Sequence, residues 1–388
     1  MSITAPKGFR ASGVTAGIKA SGKPDVALVV NDGPQDVAVG VFTSNRFKAA
    51  PVLWSQQVLS DRTARAVFLN SGGANACTGP EGFADTHHTA EKVAEVLSSA
   101  GKEVGAGDVL VCSTGLIGER LPMDRILAGV ELSVAQLSEE GGADAAVAIM
   151  TTDSVSKVAV ASAHGVTVGG IAKGAGMLAP ALATMLVVLT TDAMVDADDA
   201  EGVLREATAL SFDRIDSDGC MSTNDTVVLM ANGASGISLD RVALQELVTA
   251  VCVDLARQLI GDAEGASKDI EISVVNAASV DDALDVARAI SRSNLLKCAI
   301  HGEDPNWGRV LAAAGTTLAR FEPDQVDVSM NGVTVCRNGG VGDDRNRVDL
   351  SGRTVDITVD LRAGSASASV WTNDLTADYV HENSAYST

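Results

Sequence analysis

The sequence predicts a mixed α/β (α+β) fold, with sheets covered by helices. Two observations carry this. Short β-branched runs alternate with helix-period stripes along the whole chain, and the carboxy-terminal segments alternate apolar and polar residues with a period of two.

Taken in order, Val26-Ala27-Leu28-Val29-Val30 reads as a buried strand that stops at the turn signal Asn31-Asp32-Gly33-Pro34. Val37, Val39 and Val41 follow in alternation, so the two runs are expected to pair as a hairpin. Ala90, Val93, Ala94 and Leu97 fall at i, i+3, i+4, i+7 and predict a helix, with Thr86 as its N-cap. A buried strand is expected from Met185 to Leu189. A long helix carries Leu244, Leu247, Val248, Val251, Leu255 and Leu259, started by Ser238 or Asp240. Ala283, Val286, Ala287 and Ile290 mark a third helix behind Asp281 and Asp282. Val355, Ile357, Val359 and Leu361, then Ala366, Ala368 and Val370, suggest an antiparallel hairpin with one buried face.

The 388 residues suffice for a large core, and 46 % hydrophobic against 20 % charged residues is a globular balance. Aromatics make up only 3 %, so the core rests on small and β-branched side chains. A net charge of −21 argues against a nucleic-acid partner, which needs clustered Lys and Arg. The six cysteines are scattered without a C-x-x-C pair, so no metal site is expected. The first residues lack the apolar run of a signal peptide, and no apolar stretch reaches membrane-spanning length. A cytoplasmic protein with reduced thiols is expected.

The segment from Gly169 to Leu189 is the most informative. Four glycines and Pro180 precede Thr184, which stands where an irregular loop enters a strand. A threonine hydroxyl needs a base to become a nucleophile. The α-amine of the same residue can supply it once the peptide bond before Thr184 is cut. Its usual pKa, about 7.7 to 8.0, leaves a neutral fraction at neutral pH. The same pattern also fits a plain strand start. A P-loop is excluded, because Lys173-Gly174 has the wrong order and no Gly-Lys-Ser/Thr occurs there. Ser113-Thr114-Gly115 offers oxyanion donors or a simple glycine turn after a strand at 108–112. His301 stands near the Gly302-Glu303-Asp304-Pro305 segment. No G-x-S-x-G elbow supports a serine triad built on it.

Lys173-Gly174-Ala175-Gly176-Met177-Leu178, with Pro180 and Leu182-Ala183-Thr184-Met185-Leu186, closely resembles the self-cleavage segment of the bifunctional ornithine acetyltransferases, the glutamate N-acetyltransferases of cyclic arginine biosynthesis. The likeness runs over essentially the full chain. It includes Phe42-Thr43-Ser44-Asn45, Asn70-Ser71-Gly72-Gly73-Ala74-Asn75-Ala76, Ser113-Thr114-Gly115-Leu116-Ile117-Gly118 and Thr151-Thr152-Asp153. It continues in Asp216 to Asp225, Gly302 to Arg309, and Glu382-Asn383-Ser384-Ala385-Tyr386-Ser387-Thr388.

This resemblance implies a layered αββα sandwich of N-terminal-nucleophile type with a smaller associated domain. It implies self-cleavage between Ala183 and Thr184, giving chains 1–183 and 184–388 that interlock in a heterotetramer of two copies of each. Thr184 is then the nucleophile, and Thr114 and Gly115 form the oxyanion hole. Thr151, Lys173, Thr184, Glu264, Asn383 and Thr388 bind substrate. The implied substrates are N2-acetyl-L-ornithine and L-glutamate, with no cofactor; no residue decides whether acetyl-CoA is a further donor. The alternatives are an amidohydrolase or aminopeptidase using the same threonine, and an acidic oligomeric binding protein with an uncut loop.

Overall fold

The computed structural model describes residues 2–179 and 185–385. The strands are β1 (Phe9–Val14), β2 (Val26–Asn31), β3 (Val37–Phe42), β4 (Ala66–Ser71), β5 (Val109–Thr114), β6 (Lys157–Ala163), β7 (Val166–Lys173), β8 (Leu186–Thr191), β9 (Thr226–Ala231), β10 (Asp269–Ala277), β11 (Asp327–Met330), β12 (Val333–Arg337), β13 (Gly340–Val341), β14 (Thr354–Asp360) and β15 (Ala366–Asn373). The helices are α1 (Ala50–Val58), α2 (Gly79–Ser99), α3 (Met123–Ala135), α4 (Gly142–Ala148), α5 (Ala197–Ala209), α6 (Arg241–Gly261), α7 (Val280–Ser291), α8 (Asn294–His301), α9 (Trp307–Ala314) and α10 (Ala377–Ala385).

Two sheets face each other. One runs β1-β2-β4-β5 and the other β3-β9-β8-β7-β6. The period of two along β8 explains the layering. Leu186 and Val188 enter a core shared with β2 and β4, while Val187 and Leu189 enter a second core with α5 and α6. Helices α1, α2 and α3 cover the outer face of the first sheet. The result is the αββα sandwich.

The third sheet, β13-β12-β11-β14-β10-β15, has its own core against α7, α8 and α9. Ile270, Ile272 and Val274 point into it, and Glu271 and Ser273 point away. This is the smaller associated domain. It is tied to the sandwich by Arg257 over the Trp371 ring, 4.2 Å from its centroid, and by the Asp216 N–H on the Trp371 carbonyl at 2.9 Å.

Several elements stand as the sequence predicts. The stripe Ala90, Val93, Ala94, Leu97 is the buried face of α2. Asp240 caps α6 by accepting the Ala243 N–H. Thr86 is not a cap: α2 begins at Gly79, and the Thr86 hydroxyl donates to the Gly82 carbonyl one turn back. α7 is capped by Ser279, with Asp281 and Asp282 in its first turn.

Neither expected hairpin forms. β2 pairs with β1 and β4, while β3 pairs with β9 in the facing sheet. The Asn31–Pro34 turn therefore carries the chain between layers. β14 and β15 lie on opposite sides of β10, parallel and antiparallel to it. Their buried face is as expected, but β10 stands between them.

Candidate active site

The site lies where the two facing sheets end together. β7 ends at Lys173 and β8 begins at Leu186, and these two residues are antiparallel partners. The connection that contains Pro180 to Thr184 thus leaves and re-enters the sheet at one place. Ala183, Thr184 and Thr388 lie outside the described residues. On the first sheet, β5 ends at Thr114. The Lys173 ammonium spans the two sheets, donating to the Thr114 hydroxyl at 3.3 Å and to the Thr151 hydroxyl at 2.6 Å.

Lys173 is only 2 % exposed, and a buried ammonium costs several kcal/mol unless its charge is met. Asp153 meets it, with Oδ2 3.9 Å from Lys173 Nζ. Asp153 also accepts from Lys157 Nζ at 2.7 Å, the Gly174 N–H at 2.6 Å and the Thr151 N–H at 2.9 Å. Lys157 reaches on to Asp262 at 2.6 Å, just beyond α6. The charges therefore alternate along Lys173, Asp153, Lys157 and Asp262. Burial raises the Asp153 pKa, but the two lysines and their hydrogen bonds outweigh it and hold the carboxyl at about 2. Burial pushes the Lys173 pKa down, against the pull of Asp153.

The chain after α6 brings Glu264 to the same place. Its N–H donates to the Ala175 carbonyl at 3.0 Å. Gly176 is pressed so close that a Cβ there would lie 2.6 Å from a Glu264 carboxylate oxygen. The Thr376 hydroxyl donates to the Gly265 carbonyl at 2.6 Å and accepts the Tyr379 N–H at 2.9 Å, which docks α10 and so places Asn383. Gly115 has φ +133, and a Cβ would stand 2.5 Å from the Gly73 nitrogen, so only glycine fits where β5 turns.

Thr114, Gly115, Thr151, Lys173, Glu264 and Asn383 line one pocket of ≈ 160 Å3. The described candidates from the sequence are therefore brought together. His301 stands apart from them: its Nδ1 faces both Asp374 Oδ2 at 2.9 Å and Ser267 Oγ at 3.2 Å. A serine relay uses the two ring nitrogens separately, so this cluster is not one.

Three residues escape individual notice in the sequence. Asp153 is one. Asn224 donates to the Ser113 and Ala74 carbonyls at 2.8 and 2.7 Å, fixing the turn that carries Thr114 and Gly115. Asp225 accepts the Met185 N–H at 3.1 Å, and its Oδ2 has no hydrogen-bond partner among the described residues. Burial pushes its carboxyl well above the usual range. A lysine ending the apolar run of β7 was the available signal, since a buried cation requires a buried anion. Among the described residues no group of His, Cys, Asp and Glu could hold a metal ion, and no helix is long and apolar enough to cross a membrane.

The family model described as the ArgJ family matches residues 10–388. The chain is 65 % identical over 387 residues to the arginine biosynthesis bifunctional protein ArgJ of Streptomyces coelicolor, covering 100 % of both chains. It is 63 % identical over 388 residues to that of Thermobifida fusca, again covering 100 % of both. Among solved structures, ornithine acetyltransferase from Mycobacterium tuberculosis, complexed with ornithine, matches at 61 % identity, covering 48 % of this chain and 96 % of that one, with a TM-score of 0.46.

Proposed function

The chain belongs to the ArgJ family, acyltransferases of arginine biosynthesis, and from that premise we propose that it moves an acetyl group from N2-acetyl-L-ornithine to L-glutamate through an acetyl ester on Thr184. One observation carries this reading. Residues from five separate segments, Thr114 with Gly115, Thr151, Lys173, Glu264 and Asn383, converge on one pocket beside the strand ends that flank Thr184.

The chain first cuts itself. The Thr184 hydroxyl attacks the Ala183 carbonyl, the acyl group shifts from nitrogen to oxygen, and water opens the ester. Ala183 keeps a carboxylate and Thr184 gains a free amine. That amine takes the hydroxyl proton, and Oγ attacks the acetamide carbonyl of the donor. The Thr114 hydroxyl and the Gly115 N–H meet the oxyanion. Ornithine leaves with the proton, and the acetyl ester remains on Oγ. The α-amine of glutamate attacks the ester, and Thr184 recovers its proton as N-acetylglutamate departs.

Lys173 is suited to the substrate α-carboxylate and Glu264 to the ornithine ammonium. Asn383 lines the pocket from the carboxy-terminal end, and Thr388 is a further substrate-binding residue in this reading. Acetyl-CoA would enter, if used, as another donor to the same hydroxyl. The two chains, 1–183 and 184–388, remain joined because β7 and β8 pair across the cut, and two copies of each make the assembly. The denatured mass of the matured protein beside Thr184→Ala tests this. Two chains in the wild type and one in the variant are expected; a single wild-type chain after maturation would refute it.

A further inference from the structure

A second pocket of ≈ 300 Å3 adjoins the first, and Glu264 lines both. Apart from Tyr379 of α10, none of its other walls belongs to the site described above. It is built from the 217–219 loop, the start of α8 and the end of the third sheet.

Its carboxylates are already engaged. Asp374 accepts the Ser267 and Lys268 N–H groups at 2.9 and 2.8 Å, besides His301. Asp218 accepts the Cys220 N–H at 3.0 Å, and burial pushes its carboxyl above the usual carboxylate range. The cations differ. Lys297, only 6 % exposed, donates to the Ser217 carbonyl and, at 3.0 Å, to the Thr372 hydroxyl, and an ammonium has three protons. Arg292 uses Nε on Asp216 at 2.7 Å, while its terminal nitrogens make no hydrogen bond among the described residues. Asn294, at the start of α8, lines the same pocket. This wall offers donors to an anion.

The proposed reaction needs such a place. Donor and acceptor share an α-amino acid head, so one head site serves both, but their side chains end in opposite charges. Glu264 suits the ornithine ammonium, and a carboxylate placed in the same position would meet a like charge. Accordingly, resting on the acetyl-transfer reading above, we infer that the second pocket receives the side-chain carboxylate of the dicarboxylic acceptor, held by Arg292, Lys297 and Asn294. Glu264 thereby divides the two specificities: it holds the ornithine ammonium on one side and turns the glutamate carboxylate to the other.

The test compares two acceptors for the same acetyl-enzyme: L-glutamate, and labelled L-ornithine in exchange with acetylornithine. Asn294→Asp places an anion in the wall at a first-turn helix position, which tolerates it. Arg292→Gln removes a cation and serves as the second variant. In each, the ratio of KM for glutamate to KM for ornithine should rise about tenfold, the worth of one charge-assisted contact. An unchanged ratio in both variants, with exchange intact, overturns the inference and leaves acetyl transfer standing. A matured wild type that catalyses neither exchange nor transfer overturns the acetyl-transfer reading and this inference with it.

Discussion

Lys173 Nζ and Asp153 Oδ2 stand 3.9 Å apart, both buried, at the point where the two sheets of the sandwich end together. Lys173 is therefore held from below by a carboxylate and from the sides by the hydroxyls of Thr114 and Thr151. This fixes a positive charge at the floor of the pocket.

Replacing Lys173 with Met should raise KM for both amino-acid substrates tenfold or more, since a charge-assisted contact is worth about 1.5–3 kcal/mol. The fold should survive, because Lys157 still pairs with Asp153. Steady-state kinetics and urea unfolding of the same preparation check both halves.

The depressed Asp153 pKa makes stability depend on acid. A carboxyl lowered from about 3.9 in the unfolded chain to about 2 in the fold binds fewer protons when folded. Its contribution is present above pH 4 and lost as pH falls through 2, a change of about 2.6 kcal/mol. Urea unfolding between pH 4 and pH 2 should therefore fall more steeply for the wild type than for Asp153→Asn. Equal slopes would contradict the assignment.

Thr114→Val removes one proposed oxyanion donor and keeps the side-chain shape. The turnover number should fall by about 100-fold with little change in KM. A rise in KM alone would mean that Thr114 binds substrate and does not stabilise the oxyanion.

Gly176→Ala puts a methyl against the Glu264 carboxylate, at 2.6 Å. The carboxylate is the end of a flexible side chain and can move, so folding should be retained. KM for acetylornithine should rise several-fold, because the ammonium loses its aligned partner. Unfolding midpoints and donor KM, measured together, separate a displaced carboxylate from a damaged fold.

The sequence reveals elements more readily than their pairing. Periodicity located α2 and α6, because each buries one face against a continuous core, and the short β-branched run located β8, which is buried on both faces. Turn residues at Asn31–Pro34 announced a reversal but could not say that the next strand joins another sheet. That choice is made by β9, almost two hundred residues later, whose Thr226 to Ala231 pair with Phe42 to Val37. Likewise β10 separates β14 from β15, and no local signal in either strand records it. The site was legible through resemblance, since residues as distant as Thr114 and Asn383 share no spacing rule. The supports beneath it were not. Asp153, Asn224 and Asp225 act through burial and hydrogen bonds to backbone that only the folded chain creates.

In the proposed reaction Thr184 carries the acetyl group. The most direct measurement is the mass of each denatured chain after brief exposure of matured enzyme to acetylornithine without glutamate. Chain 184–388 should gain one acetyl group, located on its first residue by fragmentation, and lose it when glutamate is added. An unmodified chain 184–388 alongside continuing ornithine release, or an acetyl group on another residue, would contradict it.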